Sequence, residues 1–169
     1  MMKRSLVPAL AAAAALLVAS AATPLEAQKK GQLTSGTSTP TTSARSGDLI
    51  TSITVGDLRS LLSDMGYQPQ SLEGRDNAWA VQMAGRPVLV TVGGDGKNLL
   101  MWSYVQGGSL NKVNEWNKQK RFSRAYLDGD GDANVEWDID LEGGVSLDAV
   151  REGIRTFQAV VQVFSQYGF

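Results

Sequence analysis

The sequence contains no cysteine and no histidine in 169 residues. Without cysteine there is no disulfide, no thiol nucleophile and no lipid-carrying cysteine to act as an anchor. Without histidine the usual general base at neutral pH is missing, and with both absent so are the usual zinc ligands. Chemistry would have to rest on carboxylates, hydroxyls, lysine, arginine and tyrosine, and no cofactor is implied. Sixteen basic and seventeen acidic side chains leave a net charge of −1. With both signs dispersed, the chain lacks the basic footprint of a nucleic-acid binder.

Long apolar runs are missing too, with one exception at the start. Lys3 and Arg4 precede an Ala/Leu/Val run from Leu6 to about Ala22. A basic n-region followed by an apolar h-region is the pattern of a secretory signal peptide. The run is short against the roughly 20 apolar residues of a membrane span, and Pro8 interrupts it. Residues 1–27 are assigned as the leader, with cleavage after Ala22 or after Ala27, and no stable membrane span remains once it is removed. The expected address is periplasmic or secreted. Residues 28–47, rich in Ser and Thr, have almost nothing to bury and are expected to form a flexible linker. Residues 48–169 have the length of one domain.

Within that domain Thr54 and Asp57 open a helix that runs to Met65, and Gly66 supplies its left-handed stop. Val55, Leu58, Leu61, Leu62 and Met65 form its apolar stripe. Three strands follow over 79–83, 87–92 and 99–104. The second and third are apolar at nearly every position, so both of their faces should be covered, by helices or by another subunit. Ser109 caps a short helix from Leu110 to about Lys118, with Leu110, Val113 and either Trp116 or Asn117 facing inward. Phe122–Leu127 and the strictly alternating Val135–Glu142 read as a hairpin around an Asp-Gly turn. Ser146 caps a last helix whose seam of Leu147, Val150, Ile154, Phe157, Val161 and Phe164 is spaced for packing on the sheet or for self-pairing. The order α-β-β-β-α-β-β-α predicts an α+β fold, a five-stranded antiparallel sheet packed by helices.

The stretch from Asn114 to Gly144 also carries a family resemblance. Asn114, Trp116 and Asn117 lead into Arg121-Phe122 and Ala125-Tyr126; an acidic Gly turn, Asp138, Asp140 and the pair Gly143-Gly144 follow. In this order they resemble the YbjN family, over roughly residues 50–166 and most sharply over 114–144. The resemblance implies a fold like the type III secretion chaperones and a regulatory role with no settled activity. A leader would set this chain apart from a cytoplasmic secretion chaperone.

Three groups of residues are candidates for function. Asp128, Asp130 and Asp132 alternate as oxygen ligands do in a calcium loop. Against the EF-hand template, however, Ala133 stands where Gly is needed and Ile139 where a bidentate Glu belongs. A hairpin turn is the favoured reading, with weak calcium binding as the alternative. Asp138 and Asp140 share a strand face about 7 Å apart, but their polar surroundings suit ion pairing better than glycosidase chemistry. A turn that sets Asp128 opposite Ala133 would pair Arg121 with Asp140 and bring Arg124 onto the apolar face opposite Trp137. Third, Trp116, Asn117, Lys118 and Arg121 form either a helix–strand corner held by amides or a patch that binds a partner. The expected function is an exported, non-enzymatic protein-interaction module, chaperone-like or regulatory. Its polypeptide partner is unspecified and a homodimer is possible; the alternative is an envelope protein that binds a ligand or calcium.

Overall fold

The computed structural model describes residues 48–169; the leader over 1–27 and the linker over 28–47 lie outside the described residues. The chain begins with a short strand β1 (Leu49–Ile50) and a helix α1 (Val55–Asp64). Four strands come next, β2 (Gln70–Leu72), β3 (Arg75–Met83), β4 (Arg86–Val92) and β5 (Asn98–Val105). Then follow α2 (Leu110–Gln119), β6 (Arg124–Leu127), β7 (Ala133–Asp140), β8 (Val145–Ser146) and the long helix α3 (Leu147–Ser165). The fold is α+β, as expected. Its main sheet has six strands, in the order β2-β3-β4-β5-β7-β6, with antiparallel neighbours throughout. A separate ribbon pairs β1 with β8.

The strand count therefore exceeds the expected five. The additions are β2, β1 and β8, three residues or two long, too short for a period of two to be seen in sequence. The helix boundaries follow local chemistry. Thr54 and Asp57 form a reciprocal capping box, which satisfies donors that the first turn leaves open. Ser109 and Ser146 cap α2 and α3 more simply, each hydroxyl accepting one backbone N–H, from Lys112 and Ala149.

Cross-strand partners share a face, so the register sorts every strand residue to one of two surfaces. Val81, Val88, Val90, Val92, Leu99, Met101 and Val135 lie on one surface. They share a single core with Leu58, Leu61 and Leu62 of α1, Val113 and Trp116 of α2, and Val150, Ile154, Phe157, Val161 and Phe164 of α3. The seam of α3 is thus spent on the sheet. Leu110, expected inward, is 63% exposed; as the first residue of α2 it projects beyond the core that Val113 and Trp116 enter.

The hairpin register differs by one residue from that expected. Leu127 pairs with Ala133, Ala125 with Val135 and Arg124 with Glu136. The turn holds five residues, closed by Asp128 N–H to Asp132 O at 3.1 Å. A slip of one residue moves each side chain to the other face, so Arg124 leaves the apolar side and meets Glu136. Arg121 lies outside the strand and does not face Asp140. Among the described residues no helix is long and apolar enough to cross a membrane.

Phe157 is wholly buried and Val163, on the same helix, is 44% exposed. Phe157→Ala is expected to cost about 3–5 kcal/mol and Val163→Ala less than about 0.5 kcal/mol, measured by denaturant unfolding. Loss of a helix dimer with unchanged monomer stability in Phe157→Ala would contradict the placement of this seam in the core.

Candidate functional site

The turn from α2 into β6 is built around two adjacent side chains. Trp116 is 1% exposed and donates its indole N–H to Ser123 Oγ at 3.1 Å. Its ring meets Phe164 and Tyr167 edge-on at 5.1 Å each, so α2 is pinned to the end of α3. Asn117 reaches the other way. Its Nδ2 donates to Ala125 O at 2.9 Å and its Oδ1 accepts from Ala125 N–H at 2.8 Å. Ala125 belongs to the edge strand β6, whose outward N–H and C=O would otherwise stand open. One amide takes the place of a neighbouring strand at that point.

Of the four residues considered for partner binding, then, Trp116 is interior and Asn117 is committed to the strand. Lys118 and Arg121 are exposed and add charge beside the corner. Phe122 follows with φ of 59°, a conformation rare for a bulky residue, and lays its ring against Trp137 at 5.7 Å.

The Asp-Gly turn is closed by its own carboxylates. Asp128 Oδ1 accepts from the N–H groups of Asp130 and Asp132, both at 3.0 Å, and its Oδ2 accepts from Asn134 Nδ2 at 3.1 Å. The hydrogen bond from Asn134, with those from the backbone, holds the Asp128 carboxyl below the usual aspartate range. Asp132 Oδ1 accepts from Gly107 N–H at 2.7 Å. Two of the three proposed calcium ligands thus organise the turn. Among the described residues no three acidic side chains are grouped to hold a metal.

Asn134 passes this order onward, accepting from Trp102 Nε1 at 2.9 Å. Trp102 lies on the sheet surface turned away from the described helices, where Ala78 is the one apolar side chain that is buried among the described residues. On it the register aligns Ala80, Leu89, Trp102, Glu136 and Arg124 in one row, and Ala78, Thr91, Leu100 and Asp138 in the next. Trp102 stacks on Tyr104 at 5.4 Å. Leu89, Leu100, Trp102 and Tyr104 are each half-buried. At the β6–β7 margin the Glu136 carboxylate, 9% exposed, is bound by Arg124 Nε, with Asp138 4.0 Å from the same guanidinium. Burial first, then the Glu136 charge, raises the Tyr126 phenol above its ordinary value. The open surface thus has small residues on β3, a ridge of large apolar ones on β4 and β5, and a charged margin on β6 and β7. The two-sided apolar character of β4 and β5 was its signal in the sequence.

The arrangement can be set beside known proteins. The profile of the YbjN family, described as "putative bacterial sensory transduction regulator", matches residues 54–167. The chain belongs to the YbjN family. The crystal structure of YbjN from E. coli, described there as a putative transcription regulator, superposes with a TM-score of 0.58 at 14% identity. The match covers 69% of this chain and 92% of that one. An uncharacterised protein from Methanothermobacter thermautotrophicus matches at 15% identity and a TM-score of 0.44, over 65% of this chain and 93% of its own. No curated protein matches the sequence. At these identities the E. coli likeness shows the fold, and the YbjN family match agrees with a non-enzymatic regulatory module.

Asn117→Ala should cost about 2 kcal/mol, one for each hydrogen bond removed, and speed amide exchange at Ala125. Lys118→Ala and Arg121→Ala should stay within about 0.5 kcal/mol. Because the Asp128 pKa is lowered on folding, its contribution is present above the unfolded value near 4 and is lost as pH falls through the folded one. Asp128→Ala should therefore lower the melting temperature at pH 7 and lose that difference in acid, while millimolar calcium should leave the wild-type melting temperature unchanged.

Proposed function

We propose that this YbjN-family chain is an exported, non-enzymatic protein-interaction module of regulatory or chaperone-like type, working through the open surface of its sheet. The observation that carries the reading is the apolar ridge of Leu89, Leu100 and Trp102 on a surface with no described helix over it. Contiguous apolar surface rimmed by charge is the usual character of a protein-binding site. The N-terminal leader pattern supports action in the periplasm or outside the cell.

Shape favours a second copy of the chain as occupant. Ala80 leaves low ground beside the ridge, and a two-fold axis would set the ridge of one copy over the low ground of the other. Isologous pairing needs such a self-complementary patch, and facing sheets pack about 10 Å apart when large and small residues interleave. Edge-to-edge pairing through β6 is disfavoured because Asn117 occupies the Ala125 backbone groups.

Electrostatics argue against proton-transfer chemistry. The shifted carboxyls of Asp128 and Glu115 move down, by hydrogen bonds and by Lys112 respectively. The shifted phenols of Tyr67 and Tyr126 move up, mainly by burial. A general acid or base needs the opposite direction, towards the working pH. With a net charge of −1, direct nucleic-acid binding has no electrostatic support either.

The test is equilibrium sedimentation of the wild-type protein and of a Leu89→Lys/Leu100→Lys variant, with cross-linking capture from the envelope fraction. A wild-type dimer and a monomeric, equally helical variant are the expected pair. A strictly monomeric wild type whose captured partner survives in the variant would remove the open surface from the argument.

A further inference from the structure

A second feature lies on the outer side of α2 and of the loop that leaves it, at the β6 end of the sheet. Between Gln106 and Leu127 the sequence carries five basic residues and one acidic residue, in a chain whose net charge is −1. Three of the five cations are engaged. Lys112 pairs with Glu115 and Arg124 with Glu136, and Lys120 lies over the rings of Trp116 and Tyr167. Lys118 and Arg121 are exposed, and none of the ion pairs among the described residues involves them.

Two apolar side chains bracket these cations. Leu110, Asn114 and Lys118 recur every four residues, so they share one side of α2, and all three are exposed. Leu110 is 63% exposed at the start of that strip, and Phe122 is 59% exposed just past its end. By helical rise Leu110 and Lys118 stand about 12 Å apart, a span suited to lying along a surface. Phe122 keeps its place with φ of 59°, a conformation strained for a bulky residue and open to glycine. Strain of that kind persists where the surroundings impose it, and it clusters at binding sites. Contact with Trp137 at 5.7 Å covers one side of the Phe122 ring, yet most of the residue still faces water.

We infer that this strip docks the domain on an anionic phospholipid surface, with Leu110 and Phe122 entering the headgroup boundary and Lys118 and Arg121 meeting lipid phosphates. Apolar side chains beside cations are the composition of an interfacial membrane contact, and each cation near an anionic leaflet adds to the attraction. Nucleic acid would engage the cations and leave Leu110 and Phe122 in water. Val113 and Trp116 hold α2 against the helix-covered surface of the sheet, whereas the apolar ridge lies on the other. Nothing in this assignment therefore depends on the open sheet surface being an interface.

The chain has no cysteine, so one introduced thiol can carry a polarity-sensitive dye. The test places it in the full chain at Asn114→Cys, on the strip, and separately at Ser63→Cys, an exposed position of α1, a helix that packs on β3 and β4. Each labelled protein is titrated with vesicles of phosphatidylglycerol and phosphatidylcholine in equal parts, and with vesicles of phosphatidylcholine alone. A saturable blue shift is expected at position 114 with the anionic vesicles only, weakened by about 0.5 M salt, while position 63 stays unshifted. Lys118→Ala with Arg121→Ala should weaken binding at least about tenfold, and Phe122→Ser should weaken it as well. Absence of a shift, an equal shift on both kinds of vesicle, an equal shift at position 63, or binding unchanged in the Lys118→Ala/Arg121→Ala variant would each overturn the inference. So would the same shift with polyglutamate in place of vesicles, which would give the strip to an acidic polypeptide. The dye at position 114 reports the strip itself, so attachment of the chain to vesicles through its leader would not mimic the expected result.

Discussion

The three described helices all bear on the same surface of the six-stranded sheet, and that one-sided cover sets the terms for every strand. Each strand alternates between a surface that must be apolar and one that is free to differ. On β7 the alternation is complete at its far end, where Ile139 turns towards α3 and Asp138 and Asp140 turn away. On β4 and β5 it is suspended, because apolar side chains occupy both surfaces, Val90 and Met101 on one and Leu89 and Trp102 on the other. Apolar area left in contact with water forgoes about 25 cal/mol per Å². Threonine or lysine at Leu89 or Leu100 would satisfy a strand that faced only solvent. The ridge is explained more simply by something that covers it.

The way the sheet ends decides what kind of cover is feasible. At one margin β6 is four residues long, and its Ala125 backbone groups are taken by Asn117. At the other, β2 is three residues long and its register on β3 is irregular. Partners that bind by adding a strand need a straight edge with free N–H and C=O groups. Neither margin offers one, whereas the open surface offers area. Packing of one sheet against another surface is therefore the geometry that this architecture leaves available. The hydrogen-bond chain from Asp128 through Asn134 to Trp102 holds the largest side chain of that surface in one orientation before anything binds.

Much of the fold could be read from the sequence because its signals are local. The capping box at Thr54, the heptad-like spacing of α3 and the alternation of β7 each reside in a few neighbouring residues. The amides near Trp116 were legible for the same reason, since asparagine so close to a helix end has few other uses. What was not legible depends on long-range geometry. The register of β6 on β7 turns on whether the Asp-Gly turn spans four residues or five, and only the hydrogen bonds of Asp128 and Asp132 decide that. The ribbon of β1 with β8 joins segments almost a hundred residues apart.

The electrostatic pattern connects these pieces to function. Asp128 and Glu115 are stabilised as anions and Tyr67 and Tyr126 as neutral phenols, so all four shifts move away from neutral pH. Groups of that kind act as fixed acceptors and donors and are poorly suited to shuttling protons. A surface of fixed charges and fixed donors discriminates by geometry: it rewards a partner whose polar groups arrive already in position and penalises one that leaves a buried donor unmatched. Recognition is the task such a surface performs well, and the apolar ridge gives it a place to act.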